Sequence, residues 1–94
     1  MRVTFDSNKN LANLAKHGLS LSDAHLVFDA PNKLTLESPR GNEARLMDVA
    51  LVEVASVVLV LVYALHGTSE VRAISLRRAS RHERNLYEIW QKTH

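Results

Sequence analysis

Four of the chain's eight arginines fall between Arg77 and Arg84, inside the stretch EVRAISLRRASRHERNLY that runs from Glu70 to Tyr87, and Arg72 lies just upstream. A guanidinium presents a planar fork that matches phosphate oxygens, whereas a lysine offers only a point charge. The cluster therefore points to a phosphate-rich partner. Two other arrangements could take part in chemistry beside it. Glu43 and Arg45, two apart on an extended segment, share a face, as an exposed ion pair or as part of a working site. His17 follows Lys16 and precedes Gly18, where an imidazole can satisfy the last carbonyls of a helix or move a proton near neutral pH. His66 and His82 carry no companion pattern and read as exposed, and His25, close to an apolar stripe, reads as partly buried. The five histidines show no metal-ligand spacing, so neither a metal nor a cofactor is expected.

These side chains need a frame to hold them. The stretch from Glu70 reads as a strand, with Val71, Ala73 and Ser75 on one side and Arg72, Ile74 and Leu76 on the other, and Arg77 and Arg78 follow in a basic turn before the next helix. Ser80 with Glu83 three residues on is a capping-box pattern, and Leu86, Ile89 and Trp90 give the helix that follows an apolar face. Trp90 and Tyr87 read as core, and the Tyr87 hydroxyl can reach across to the sheet. At the other end of the chain, Arg2 to Phe5 alternates like an edge strand. Asp6 or Ser7 can cap a helix whose buried stripe is Leu11, Leu14 and Ala15 and which Gly18 stops. Ser20 with Asp23 starts a second helix with Leu21, Ala24, Val27 and Phe28 on its apolar face, ended by Pro31. From Lys33 the period changes to two. Leu34 and Leu36 mark one strand, Glu43 to Leu51 and Val57 to Ala64 two more, with a turn in 52–56 and another at His66-Gly67-Thr68-Ser69. The predicted order is β-α-α-β-β-β-β-α, an α+β meander, mainly antiparallel, with helices packed on one face.

The whole-chain numbers limit what such a frame can do. Ninety-four residues suit one domain spanning 1–94 with one modest core. There is no cysteine, which rules out disulfides and thiolate metal sites. The net charge of +2 is mild, so contact with nucleic acid depends on local clustering of charge. The apolar run from Val49 to Tyr63 carries Glu53 and many β-branched residues, and reads as buried strands in place of a membrane span. The opening MRVTFDSNK lacks a signal-peptide core, so a cytoplasmic protein is expected.

Phe5-Asp6 with Asn8-Lys9 opens a set of spaced positions that continues with Asn13-Leu14 and Lys16-His17-Gly18. Ala24, Val27-Phe28-Asp29, Glu43 and Arg45 follow, and the set closes with Arg72, Ile74-Ser75, Arg77, Ala79, Glu83 and Tyr87. At these positions, across nearly its whole length, the chain resembles the BrnT toxins of bacterial type II toxin–antitoxin systems, within the wider RelE/ParE-like group. One departure is the turn at 52–56, where the family usually carries a glycine and this chain has none; a glycine is also common near Ala50.

The resemblance implies a RelE-like fold and a ribonuclease that cuts RNA without the ribosome. It also implies neutralisation by a BrnA-like antitoxin with a ribbon-helix-helix domain, in a hetero-oligomer that touches DNA only through the antitoxin. RNA cleavage without a metal uses the neighbouring 2′-hydroxyl as nucleophile, and needs proton-transfer groups and cations on the crowded phosphate. Glu43 and His17 are the candidates for proton transfer. Arg45, Arg72 and Arg77 are the candidates for holding the phosphate, with Arg78 in reserve. Lys9, Lys16, Ser75, Arg78 and Arg81 are expected to contact RNA. Two other readings stay open at this stage. One is a catalytically dead module of the same fold, or one aimed at another phosphate-bearing target such as a topoisomerase–DNA complex. The other is a structural partner whose basic face docks an acidic polypeptide.

Overall fold

The apolar run at the centre of the chain folds as two long strands, and no helix is long and apolar enough to cross a membrane. The computed structural model describes residues 1–94. In chain order they form β1 (Arg2–Thr4), α1 (Ser7–His17), a 3-10 turn (Leu21–Asp23), α2 (His25–Phe28), β2 (Lys33–Glu37) and β3 (Arg45–Val52). A second 3-10 turn (Glu53–Ala55), β4 (Val57–His66), β5 (Glu70–Arg78) and α3 (Arg81–Thr93) complete the chain. The expected α+β order is thus present. The five strands make one sheet in the order β1-β5-β4-β3-β2, antiparallel throughout except for β1, which pairs in parallel with β5.

Helices cover both faces of this sheet, not one as expected. Period-two alternation sends Ala50, Leu59, Leu61 and Tyr63 to one face, where Leu21, Ala24 and Val27 from the 3-10 turn and α2 close the main core. The intervening Val49 and Val60 point the other way and meet Tyr87 and Trp90 of α3. The Tyr87 hydroxyl donates to the Asn32 carbonyl at 2.8 Å, which ties α3 to the chain just ahead of β2. That bond sets the rotation of α3. Its buried edge is Glu83, Tyr87 and Trp90, while Leu86 and Ile89, expected on the apolar face, stay exposed.

The first helix also docks on a different face from the one expected. Leu11, Leu14 and Ala15 are exposed, and the buried residue of α1 is Asn13. β1 ends at Thr4, opposite Arg72, so the rest of β5 would present an open edge. Asn13 covers it. Its amide nitrogen donates to the Leu76 carbonyl at 2.9 Å and to the Leu19 carbonyl at 2.8 Å, and its oxygen accepts from the Leu76 N–H at 3.0 Å. One turn earlier, Asn10 accepts from the Leu21 N–H at 2.7 Å. A stripe of polar residues therefore seats α1, because an edge strand offers hydrogen-bonding groups before it offers apolar surface.

Within β5 the alternation breaks. Tyr63 pairs with Ala73 and Val62 with Ser75, leaving Ile74 as the extra residue of a β-bulge. The expected division of β5 into two faces is corrected at that point. Val71, Ala73 and Leu76 line the main core together, while Ile74, Ser75 and Arg77 face away from it. At the far end of the sheet, Asp48 is fully buried and holds Lys33 at 2.8 Å, Thr35 at 2.7 Å and the Tyr63 hydroxyl at 3.1 Å, locking β2 to β3 and β4.

Candidate active site

The bulge turns one end of β5 toward a cleft of about 410 Å³ on the α3 side of the sheet. Five elements build its walls: the end of α1 supplies Lys16 and His17, the loop after β2 supplies Ser38, Pro39 and Arg40, the start of β3 supplies Arg45, β5 supplies Ser75 and Arg77, and β4 supplies one apolar side chain. Val62 and Ile74 complete the lining. Five of the lining side chains can carry positive charge and none is a carboxylate. A shallower groove shares Lys16, His17, Ile74 and Ser75 and continues along α1 to Lys9.

Each cation is set by its surroundings. Gly18, in the left-handed region at φ +70°, terminates α1 and leaves His17 half-buried at its end. Partial burial, then the nearby charges of Lys16 and Arg77, holds the His17 imidazole below its usual pKa. Neutral imidazole is thereby favoured at pH 7. Arg45 emerges from the strand start and pairs with Glu43, the residue two before it. The Glu43 carboxyl lies below the usual carboxylate range, chiefly through the hydrogen bond from Arg45, with Lys9 and Arg72 adding to the effect. Arg77 is bound through both terminal nitrogens to Glu83 in the first turn of α3, at 2.7 and 2.8 Å. That bond, with Ser80 contributing, pulls the Glu83 carboxyl down to about 2 and raises Arg77 above its ordinary value.

The structure thus brings His17, Arg45, Arg77, Lys16 and Ser75 to one cleft. Lys9 lies in the adjoining groove. Glu43 and Arg72 stand outside the lining, exposed, near enough to each other for their charges to interact. Arg78 and Arg81 are not at the cleft. Arg78, one residue past Arg77, points to the opposite face beside Leu19, Asp23 and Leu26, and Arg81 is exposed at the start of α3. Alternation along β5 demands this separation of Arg77 from Arg78. His25, expected to be partly buried, is exposed, its Nδ1 within 3.0 Å of the Ser22 carbonyl. His66 and His82 are exposed as expected. Sequence reasoning missed Arg40, which sits in a Pro-Arg-Gly turn with no pattern of its own. It also missed the pairing of Glu83 with Arg77, because the capping box gave that carboxylate a role already.

The family model for the ribonuclease toxin BrnT of type II toxin–antitoxin systems matches residues 5–83. The crystal structure of the Brucella abortus ribonuclease toxin BrnT superposes with a TM-score of 0.66 at 24% identity, covering 86% of this chain and 99% of that one. At that identity the likeness establishes the shared fold. A search of curated proteins returns no significant match. With the family model spanning most of its length, the chain belongs to the BrnT ribonuclease toxins of type II toxin–antitoxin systems.

Proposed function

We propose that the chain is an endoribonuclease that cleaves single-stranded RNA in the cationic cleft, by attack of a 2′-hydroxyl on the adjacent phosphorus and without a metal ion. The observation that carries this reading is the lining itself: Lys16, His17, Arg40, Arg45 and Arg77 around one concavity, with no carboxylate among them. Such a surface concentrates a polyanion and opposes the charge that builds on a five-coordinate phosphorus. His17 is the one lining group that titrates near neutrality, and its depressed pKa keeps it able to accept the 2′-hydroxyl proton. The 2′-oxygen then bonds to phosphorus, the bond to the 5′-oxygen breaks as that oxygen takes a proton from water, and the products are a 2′,3′-cyclic phosphate and a 5′-hydroxyl. Arg45 and Arg77 hold the phosphate. Glu43, outside the lining and kept ionised by Arg45, orients that arginine and transfers no proton. Ser75, with Lys16 and Lys9 along the groove beside α1, contacts the flanking strand, and Arg72 adds charge at its exposed edge.

A type II toxin has a protein antitoxin. We take this one to be BrnA-like, with a ribbon-helix-helix domain that alone touches DNA, in a cytoplasmic hetero-oligomer. The test is incubation of purified protein with a single-stranded RNA in EDTA, with the product ends mapped, beside the same strand carrying a 2′-deoxy residue at each cut site. Cleavage to cyclic-phosphate ends, abolished by the deoxy residue and by Arg45→Ala, is the expected result. Cleavage that survives the deoxy residue, or that requires added divalent metal, refutes the mechanism.

A further inference from the structure

We propose that Glu83 is a positioning residue for the cleavage step, fixing the Arg77 guanidinium so that one defined edge of it is left for the phosphate. The proposal rests on the assignment of RNA cleavage to the cleft and goes one step deeper into it. A guanidinium has five N–H donors. Nη1 gives one to Glu83 Oε1 at 2.7 Å and one to the Arg78 carbonyl at 3.3 Å, and Nη2 gives one to Glu83 Oε2 at 2.8 Å. The two that remain are Nε–H and the second Nη2–H. Covalent geometry places these on the same side of the planar group, as a parallel fork. Arg77 lines the cleft, so this fork is what it can offer to two oxygens of one phosphate.

Glu83 is itself held. Its Oε1 accepts from the Ser80 N–H at 2.9 Å, and its own N–H donates to the Ser80 hydroxyl at 3.2 Å, which together make the capping box of α3. Its side chain is only 13% exposed and that of Arg77 31%. The carboxylate is thus anchored to a helix, and the helix is anchored to the sheet by Tyr87 and Trp90. An arginine on a strand end would otherwise sample many rotamers; here the orientation is set before substrate arrives, which is where preorganised catalysis gains its advantage.

Glu83→Gln separates this role from helix capping, because glutamine keeps the single oxygen the Ser80 N–H needs and is itself a capping-box residue. It cannot grip both nitrogens of Arg77 as a second acceptor. The variant is expected to stay folded, with kcat on a single-stranded RNA lowered at least about 10-fold and KM changed by less than about 3-fold. In an Arg77→Ala background the same change should leave kcat where Arg77→Ala alone put it. A second measurement needs no turnover: the 15N–1H signal of the Arg77 Nε–H, followed as inorganic phosphate is added. It should be sharp and phosphate-responsive in the wild type, and exchange-broadened in Glu83→Gln. Unchanged kcat in folded Glu83→Gln, a further fall in the Arg77→Ala background, or the same phosphate response of the Nε–H in both proteins would each overturn the proposal. A wild type that leaves RNA intact would count against the cleavage assignment, and the Arg77 signal would still decide the role of Glu83.

Discussion

Asn13→Ala should cost far more than a helix-surface substitution, because the side chain completes a sheet edge. The asparagine is 5% exposed and makes three hydrogen bonds, two to carbonyls and one from the Leu76 N–H. Truncation leaves the Leu76 N–H and carbonyl and the Leu19 carbonyl without those partners. An unsatisfied buried group costs about 1–3 kcal/mol, with N–H groups the less forgiving. Partial access of water to the Leu19 carbonyl lowers the sum, so a loss of about 3 kcal/mol is expected, against the ~5–15 kcal/mol that holds a typical domain. Urea unfolding reads this directly, as a lower midpoint at unchanged m-value. The same truncation frees α1 from β5, so Lys16 and His17 lose their place at the cleft and RNA cleavage should fall under conditions where the variant is still folded. A loss below about 1 kcal/mol with unchanged cleavage would mean that α1 is seated by something other than Asn13, and the account of the open edge would be wrong.

Three further outcomes follow from single sites. The Glu83 carboxyl, lowered to about 2 from an ordinary 4.5, contributes stability that is complete above pH 4.5 and disappears as pH falls toward 2. The effect is worth about 3 kcal/mol at most, and Glu83→Gln should flatten that part of the pH–stability curve measured by urea unfolding. For His17, whose folded pKa is depressed, the neutral form persists below the ordinary value of 6.5; the acid limb of kcat/KM should therefore lie below pH 6.5 and vanish in His17→Gln, and a limb above 6.5 would exclude this imidazole as the base. Ser56 closes the turn between β3 and β4 at φ +51°, where a side chain is strained, so Ser56→Gly should stabilise the protein by ~0.5–1 kcal/mol and raise Tm by several degrees; an unchanged Tm would show the strain to be absorbed locally.

The order of elements was legible in the sequence because it rests on local chemistry. Asp6, Gly18 and Ser80 cap or end their helices as read, and the shift to period two at Lys33 marks the sheet. Faces were less legible. Counting parity through Glu70–Arg78 failed at Ile74, since no local pattern announces a bulge, and the error propagated to every later residue of the strand. Apolar periodicity misassigned α1, where Leu11 and Leu14 looked buried and Asn13 was the residue engaged. A single edge-bonding asparagine outweighs two leucines when the surface it meets is a row of peptide groups. The turn at 52–56 carries no glycine, and Ser56 itself takes up the left-handed region there. Of the expected site residues, Lys16, His17, Arg45, Ser75 and Arg77 line one cleft and Lys9 the groove beside it, Glu43 and Arg72 lie outside the lining, and strand alternation and the helix start point Arg78 and Arg81 elsewhere.

The placement of carboxylates explains how a chain of net charge +2 can present a phosphate site at all. Four cationic groups around one cleft, Lys16, Arg40, Arg45 and Arg77, would repel one another, and at a few ångströms each such repulsion costs about 1–4 kcal/mol in surroundings between bulk water and a protein surface. Here Glu43 and Glu83 offset it from outside the lining. Each binds an arginine that reaches in, Arg45 in one case and Arg77 in the other, while Lys16 and Arg40 remain unpaired. The carboxylates lower the repulsion that would otherwise splay the walls, yet they present no negative oxygen to the substrate within the cleft. Attraction for RNA then comes from the unpaired lysine and arginine, and alignment of the phosphate from the two paired arginines. On this division of labour, Lys16→Gln should weaken RNA binding in a strongly salt-dependent way with little effect on kcat, whereas Arg77→Ala should lower kcat at nearly constant affinity. Equal effects of the two substitutions on both parameters would show that charge alone, and not its arrangement, governs the site.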